Sequence, residues 1–289
     1  MNVIKTTDIT KLDLDAVLER SRPRRNQSML APLFLGVILL MTLVSAPGDS
    51  AWMQPLVPLA MALIIFFSIR HASRFARQQR QEADALQRID ENMRLGRWDM
   101  VAAAISGILS SPAQRPYARF QALIYLGGLF NRLGRFGEVI KLYDYLDQQA
   151  QFPPAIALSL KCMRAYAMLR DEQLSDAYQA ISELRREYPQ GSGALSILEI
   201  YRLVKTGHHE ETLQMFEQRR GQIAEQLSHR SADAWALAGT SALALSRTDL
   251  ARVYARNASL LADRREIISR FPECGAALQL VWVKGGATA

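Results

Sequence analysis

A helix–turn–helix pattern recurs along most of this chain, and the recurrence limits its fold more than any single residue does. The stretches "LGGLFNRLGRFGEVIKLYDYLDQQAQFPP", "RAYAMLRDEQLSDAYQAISELRREYP", "EIYRLVKTGHHEETLQMFEQ" and "AGTSALALSRTDLARVYARNASLLAD" share one layout. Each holds an apolar helix face, a short polar turn and a second apolar face. Aligned on the turn at Gly134, Glu172, Gly207 and Ser246, they recur every 35 to 39 residues, and the partial unit "LGRWDMVAAAISGILSSP" puts Gly96 at the equivalent place. One such hairpin cannot bury its apolar face alone, so neighbours must stack to supply the missing surface. Aromatic residues at 8% and charged residues at 22% also argue against disorder. The pattern predicts an all-α chain.

The repeat resembles the tetratricopeptide repeat, a helix–turn–helix unit of about 34 residues. The Leu-Gly position of helix A is matched by Leu126-Gly127, Arg164-Ala165 and Ala238-Gly239, while the third unit lacks the Leu. Phe130, Met168, Leu203 and Ala242 follow at the next apolar position. In helix B, Ala177 with Ile181 fits the small-then-bulky pair, and Val139 with Tyr143 and Thr212 with Phe216 fit partly. Pro189 closes its unit, Pro112 and Pro153 lie near the same place, and Trp235 matches the aromatic near the start of helix A. The resemblance covers residues 82–263, about five units. It implies a solenoid whose helix A face meets ligands, here Asn131, Arg132, Tyr166, Arg170, Tyr201 and Lys205. Three cations and two tyrosines suit an extended protein or peptide partner of acidic character. A structural role stays open for the same residues. Tyr166 and Tyr201 would then pack between helices, and the cations would complement the C-terminal end of each helix A dipole. Residues 264–289 break the period and are expected to cap the array and then trail into a tail.

Ahead of the repeats lie two uncharged runs, 29–46 and 51–69. At about 1.5 Å per residue they extend roughly 27–28 Å, close to a hydrocarbon core of about 30 Å. A cleaved signal peptide is a poor alternative. The run follows a long mixed-charge segment, Pro47 would sit just beyond the cut, and a second apolar run follows at once. The expected arrangement is a transmembrane hairpin turning at "APGD". Residues 1–28 and a basic helical stalk, 70–95, would lie on the same side. Lys and Arg are absent from the turn but cluster at Arg22, Arg24 and Arg25, and at Arg70, Arg74, Arg77 and Arg80. That bias places both termini in the cytoplasm of an integral two-span protein, at the inner membrane in a bacterium. The arginines would meet lipid headgroups. No aromatic residues interleave with them as a nucleic-acid surface would need, so the net charge of +7 does not point to nucleic acid.

Catalytic constellations are absent from the sequence. There is no phosphate loop and no GxGxxG. In "GHHEE", adjacent His208 and His209 point apart on a helix, and His208 with Glu211 at i and i+3 falls in a repeat turn where polar residues are expected. Cys162 and Cys274 form neither a CxxC nor a disulfide framework. The sequence therefore reads as a non-catalytic scaffold or adaptor without a cofactor, tethered at the cytoplasmic membrane surface. Two alternatives are the same binding role on the outer side of the membrane, serving assembly of exported complexes, and lipid sensing by the basic stalk.

Overall fold

The computed structural model describes residues 14–21, 56–110, 116–149 and 152–281. Every element among them is helical, with no strand. They are α1 (Leu14–Ser21), α2 (Leu56–Arg94), α3 (Trp98–Ser110), α4 (Pro116–Arg132), α5 (Phe136–Gln149) and α6 (Pro154–Arg170). There follow α7 (Leu174–Glu187), α8 (Gly193–Lys205), α9 (His209–Leu227), α10 (Ser231–Ala244), α11 (Thr248–Leu261), α12 (Arg264–Arg270) and α13 (Gly275–Gln279). Short 3-10 turns lie at Ser228–Arg230 and Pro272–Cys274. The chain divides into two compact units, Met1–Leu129 and Phe130–Ala289, with the boundary inside α4.

The turns explain why helices pair at this period. Gly96, Gly134, Glu172, Gly207 and Ser246 all have φ between +60° and +77°. A left-handed residue is what ends a helix abruptly and turns the chain back. After each one, an amide donates to the carbonyl five residues earlier. The pairs are Arg97 to Asn92 (2.9 Å), Arg135 to Phe130 (3.0 Å), Gln173 to Met168 (2.9 Å), His208 to Leu203 (2.9 Å) and Arg247 to Ala242 (2.8 Å). The next helix starts on that same residue, whose carbonyl accepts from Val101, Val139, Ala177, Thr212 and Ala251 in turn. Those five residues are wholly buried, and so nearly are Ile105, Tyr143, Ile181, Phe216 and Ala255 four positions on. One local geometry thus recurs five times and faces the same side chains inward.

In the first unit α2 is a single helix of 39 residues, without Gly or Pro after Pro58. It packs on α3, as does α1. Leu14, Ile89, Val101 and Ile105 form part of the buried interior. The expectation of a two-span integral protein is corrected here. No described helix is long and apolar enough to cross a membrane. The uncharged part of α2 runs from 56 to 69, after which Arg70, Arg74, Arg77 and Arg80 follow. Fourteen residues extend about 21 Å, well short of a core of about 30 Å. The other proposed span, 29–46, lies outside the described residues, as do residues 51–55. With that correction, the assignment of both termini to the cytoplasm lapses.

In the second unit each helix from α5 to α10 packs on its successor, and α6 meets α8 as α8 meets α10. First helices of successive pairs therefore lie against one another. A continuous core runs from Cys162 to Leu278. Close approach is visible at Gly239, where an added Cβ would sit 3.5 Å from the Ala251 carbonyl oxygen and the Ala255 nitrogen. Phe216, Trp235 and Tyr254 form an aromatic cluster behind it, with ring centroids 4.8 to 5.5 Å apart.

Candidate functional site

Tyr166 and Arg170 stand one turn apart on α6, and Tyr201 and Lys205 stand one turn apart on α8. Residues at i and i+4 share a helix face. Because α6 and α8 pack together, the two tyrosine–cation pairs form one surface, with the tyrosine rings 5.9 Å apart. Asn131 and Arg132 end α4 within the same unit.

This surface is not open. The chain returns to it beyond α11. Ala262 is extended, Asp263 caps α12 by accepting from the Arg265 amide, and α12 ends at Arg270. Pro272 keeps Phe271 out of helical geometry, so the backbone runs extended there (φ −130°, ψ 82°). The Tyr166 hydroxyl donates to the Arg270 carbonyl at 2.6 Å. Arg170 donates to the same carbonyl, to the Ser269 carbonyl at 3.3 Å and to the Tyr166 hydroxyl at 2.8 Å. The Arg132 guanidinium reaches the Ser269 hydroxyl at 2.6 Å. Phe271 inserts edge-on against both tyrosines, 5.7 Å from Tyr166 and 4.8 Å from Tyr201. Glu273 accepts from the Tyr201 hydroxyl at 3.1 Å and pairs with Lys205 at 3.2 Å, and Lys205 also pairs with Glu172.

Arg270 points the other way. Its guanidinium donates twice to one oxygen of Asp233 (2.8 and 3.1 Å) and once to the other (3.2 Å). Asp233 is buried in the first turn of α10. Ile267, Phe271, Cys274 and Leu278 are buried with it, so the segment forms part of the core of the unit.

The electrostatics follow from burial and partners. Desolvation raises the Tyr166 hydroxyl above its ordinary range, against the opposing pull of Arg170. Tyr201 is raised further, again chiefly by desolvation, with Glu273 adding to it. For Lys205 burial works downward, but its hydrogen bonds and charge attraction to Glu172 and Glu273 leave it raised. Two groups remain imperfectly satisfied. Both polar side-chain atoms of Asn131 are buried without a hydrogen bond, and so is the Oε2 of Glu273.

Of the six residues expected to meet a ligand, five therefore contact the chain's own C-terminal segment or its acidic neighbour, and Asn131 does not. Tyr201 is completely buried, as packing between helices requires, and its hydroxyl and ring contact the chain's own C-terminal segment. Asp233, Ser269, Arg270, Phe271 and Glu273 escaped the sequence reading. "RFPE" was the available signal, since a proline stopping a helix puts an aromatic and an acid on extended chain.

Between α5, α6 and α7 lies an open pocket of about 250 Å³. It is crossed by Arg164–Asp144 at 2.6 Å and Lys161–Glu187 at 2.7 Å. His208 Nδ1 lies 2.8 Å from the Thr206 hydroxyl, and His209 Nδ1 lies 3.3 Å from that of Ser241. Among the described residues no three His, Cys, Asp or Glu side chains are placed to share a metal ion. Both cysteines are buried and free, and burial pushes each thiol up to about 12. Arg70, Arg74, Arg77 and Arg80 are exposed along α2, whereas Arg22, Arg24 and Arg25 lie outside the described residues. Comparison with known proteins finds no matching family model and no match among curated proteins or solved structures.

Proposed function

We propose that this protein is a non-catalytic binding module, a solenoid of helical repeats of tetratricopeptide type that serves as a scaffold or adaptor for a partner protein. The observation that carries the reading is the left-handed turn repeated at 96, 134, 172, 207 and 246. Arrays of such helix pairs repeat one side-chain set per unit, a geometry suited to reading an extended chain. The tyrosine–cation pairs at a 35-residue spacing supply backbone donors, an aromatic slot and a carboxylate site in sequence. A binding role is also favoured over nucleophilic chemistry by thiols held protonated in the core.

The test is capture of a partner by the full-length chain through photo-crosslinking, identified by mass spectrometry. The expected result is a stoichiometric adduct that disappears when Arg132, Arg170 and Lys205 are changed together to Ala. A partner retained in full by that variant rules out this face as the binding surface. Absence of any stoichiometric partner rules out the adaptor role.

A further inference from the structure

The segment seated on the tyrosine–cation face is held the way a peptide ligand is held. Its Ser269 and Arg270 carbonyls take hydrogen bonds from side chains of α6. Its one aromatic residue fills a slot between two rings, and its carboxylate, two residues on, meets a lysine. Contacts to backbone carbonyls carry no side-chain identity, so selection rests on Phe271 and Glu273. The fit is also unfinished. Oε2 of Glu273 has no partner although it is buried, a cost that hydrogen-bonded burial would avoid. The connection to α11 is short and extended through Ala262 and Asp263, so the segment is joined to the helix pairs by non-helical backbone.

Resting on the binding role proposed above, we propose that the face built by Tyr166, Arg170, Tyr201 and Lys205 recognises an extended partner segment with an aromatic residue followed two positions later by a carboxylate. Residues 269–273 of the chain itself occupy the face as a built-in competitor. The partner segment binds only the open form, so its apparent affinity falls by the fraction of molecules that are open. The Arg270 guanidinium sets that fraction through Asp233, because it anchors the segment from the side away from the tyrosine–cation face, which meets only the Arg270 carbonyl.

The probe is a fluorescent synthetic peptide with the sequence of residues 264–273, titrated into the full-length chain and read by anisotropy. Arg270→Ala is expected to tighten binding about tenfold or more. Adding Lys205→Ala or Arg170→Ala to that variant abolishes the gain. Replacing the phenylalanine by alanine, or the final glutamate by glutamine, in the peptide weakens binding to Arg270→Ala about tenfold. In the unsubstituted chain, saturating peptide speeds hydrogen exchange at the Phe271 and Cys274 amides, which are bonded to Ile267 and Phe271 when the segment is seated. Phe271→Ala in the protein is a second opener that leaves Asp233 paired. The inference is overturned if either opener speeds exchange at 264–274 yet binds the peptide no better than the unsubstituted chain. It is also overturned if tightening survives Lys205→Ala and Arg170→Ala. A crosslinked partner lost from the triple Ala variant, with no peptide binding to either opener, would overturn this inference and leave the adaptor role standing. Peptide binding without any captured partner would do the reverse.

Discussion

Removing the Arg270 guanidinium exposes how the C-terminal segment is fastened. Asp233 keeps 2% of its side chain accessible, against 27% for Arg270. Arg270→Ala strands a buried carboxylate, a loss of about 3–5 kcal/mol where an ion pair is wholly buried. Two features reduce this. Part of the guanidinium already meets water, and Asp233 stands in the first turn of α10, where the helix dipole favours an anion by about 0.3–1 kcal/mol. The expected loss is therefore about 2–4 kcal/mol. Asp233→Ala frees Arg270 to turn toward solvent and should cost about 1–2 kcal/mol. The double variant should recover about 1–3 kcal/mol relative to the sum of the two. Urea denaturation measures all four proteins. Trp235 reports on this unit alone once Trp52, Trp98 and Trp282, the other three of four tryptophans, are changed to Phe. A loss under about 0.5 kcal/mol for Arg270→Ala, or strict additivity in the double variant, refutes the argument that this pair is a fastening rather than a surface contact.

Further outcomes follow from the turns and the buried groups. Ser246 holds a left-handed φ of 60°, so Ser246→Gly should stabilise the chain by about 0.5–1 kcal/mol in the same denaturation assay. Gly207→Ala, at φ 77° in open space, should cost about 1 kcal/mol through backbone strain alone. Cys162, Cys274 and Tyr254 are each raised to about 12, and Tyr166, Tyr201 and Lys205 are raised as well. Groups with raised folded values contribute stability that is intact below their unfolded values and fades as pH climbs. The melting temperature should hold up to about pH 9, the ordinary thiol value, and fall steadily toward pH 12. At neutral pH iodoacetamide should label neither cysteine of the folded chain and both once urea unfolds it, as mass spectrometry would count.

The helix pairs were legible because their cause is local. A residue forced to positive φ is chosen by its immediate neighbours, and Gly96, Gly134 and Gly207 announce it. Glu172 and Ser246 do not, and were placed only by the spacing of the others. The burial of Ala177 and Ile181 follows from the same period. The closing segment was harder to see, since the Tyr166 hydroxyl and the Arg270 carbonyl are 104 residues apart in sequence. No periodicity relates them, and a capping helix was expected where the structure has a helix, an extended turn and a second short helix. Asp233 was invisible for a related reason. An acid in the first turn of a helix already has a sufficient local explanation, so nothing in the sequence points to its partner. The membrane reading failed on length. The apolar run from 51 to 69 counts residues ahead of α2, while the described helix offers only the stretch from 56 before Arg70 arrives.

The fastening of residues 264–278 onto α6, α8 and α10 also bears on how the protein is made. A chain emerges from the ribosome N-terminus first, and domains fold as units. Here every helix that receives the segment is synthesised before the segment itself. Until Leu278 has emerged, the nascent unit carries Tyr201 without its acceptor, Asp233 without its counter-charge and an aromatic slot without its filling. Translation must pass Leu278 before the interior of the unit can close, and during that interval the tyrosine–cation face is bare.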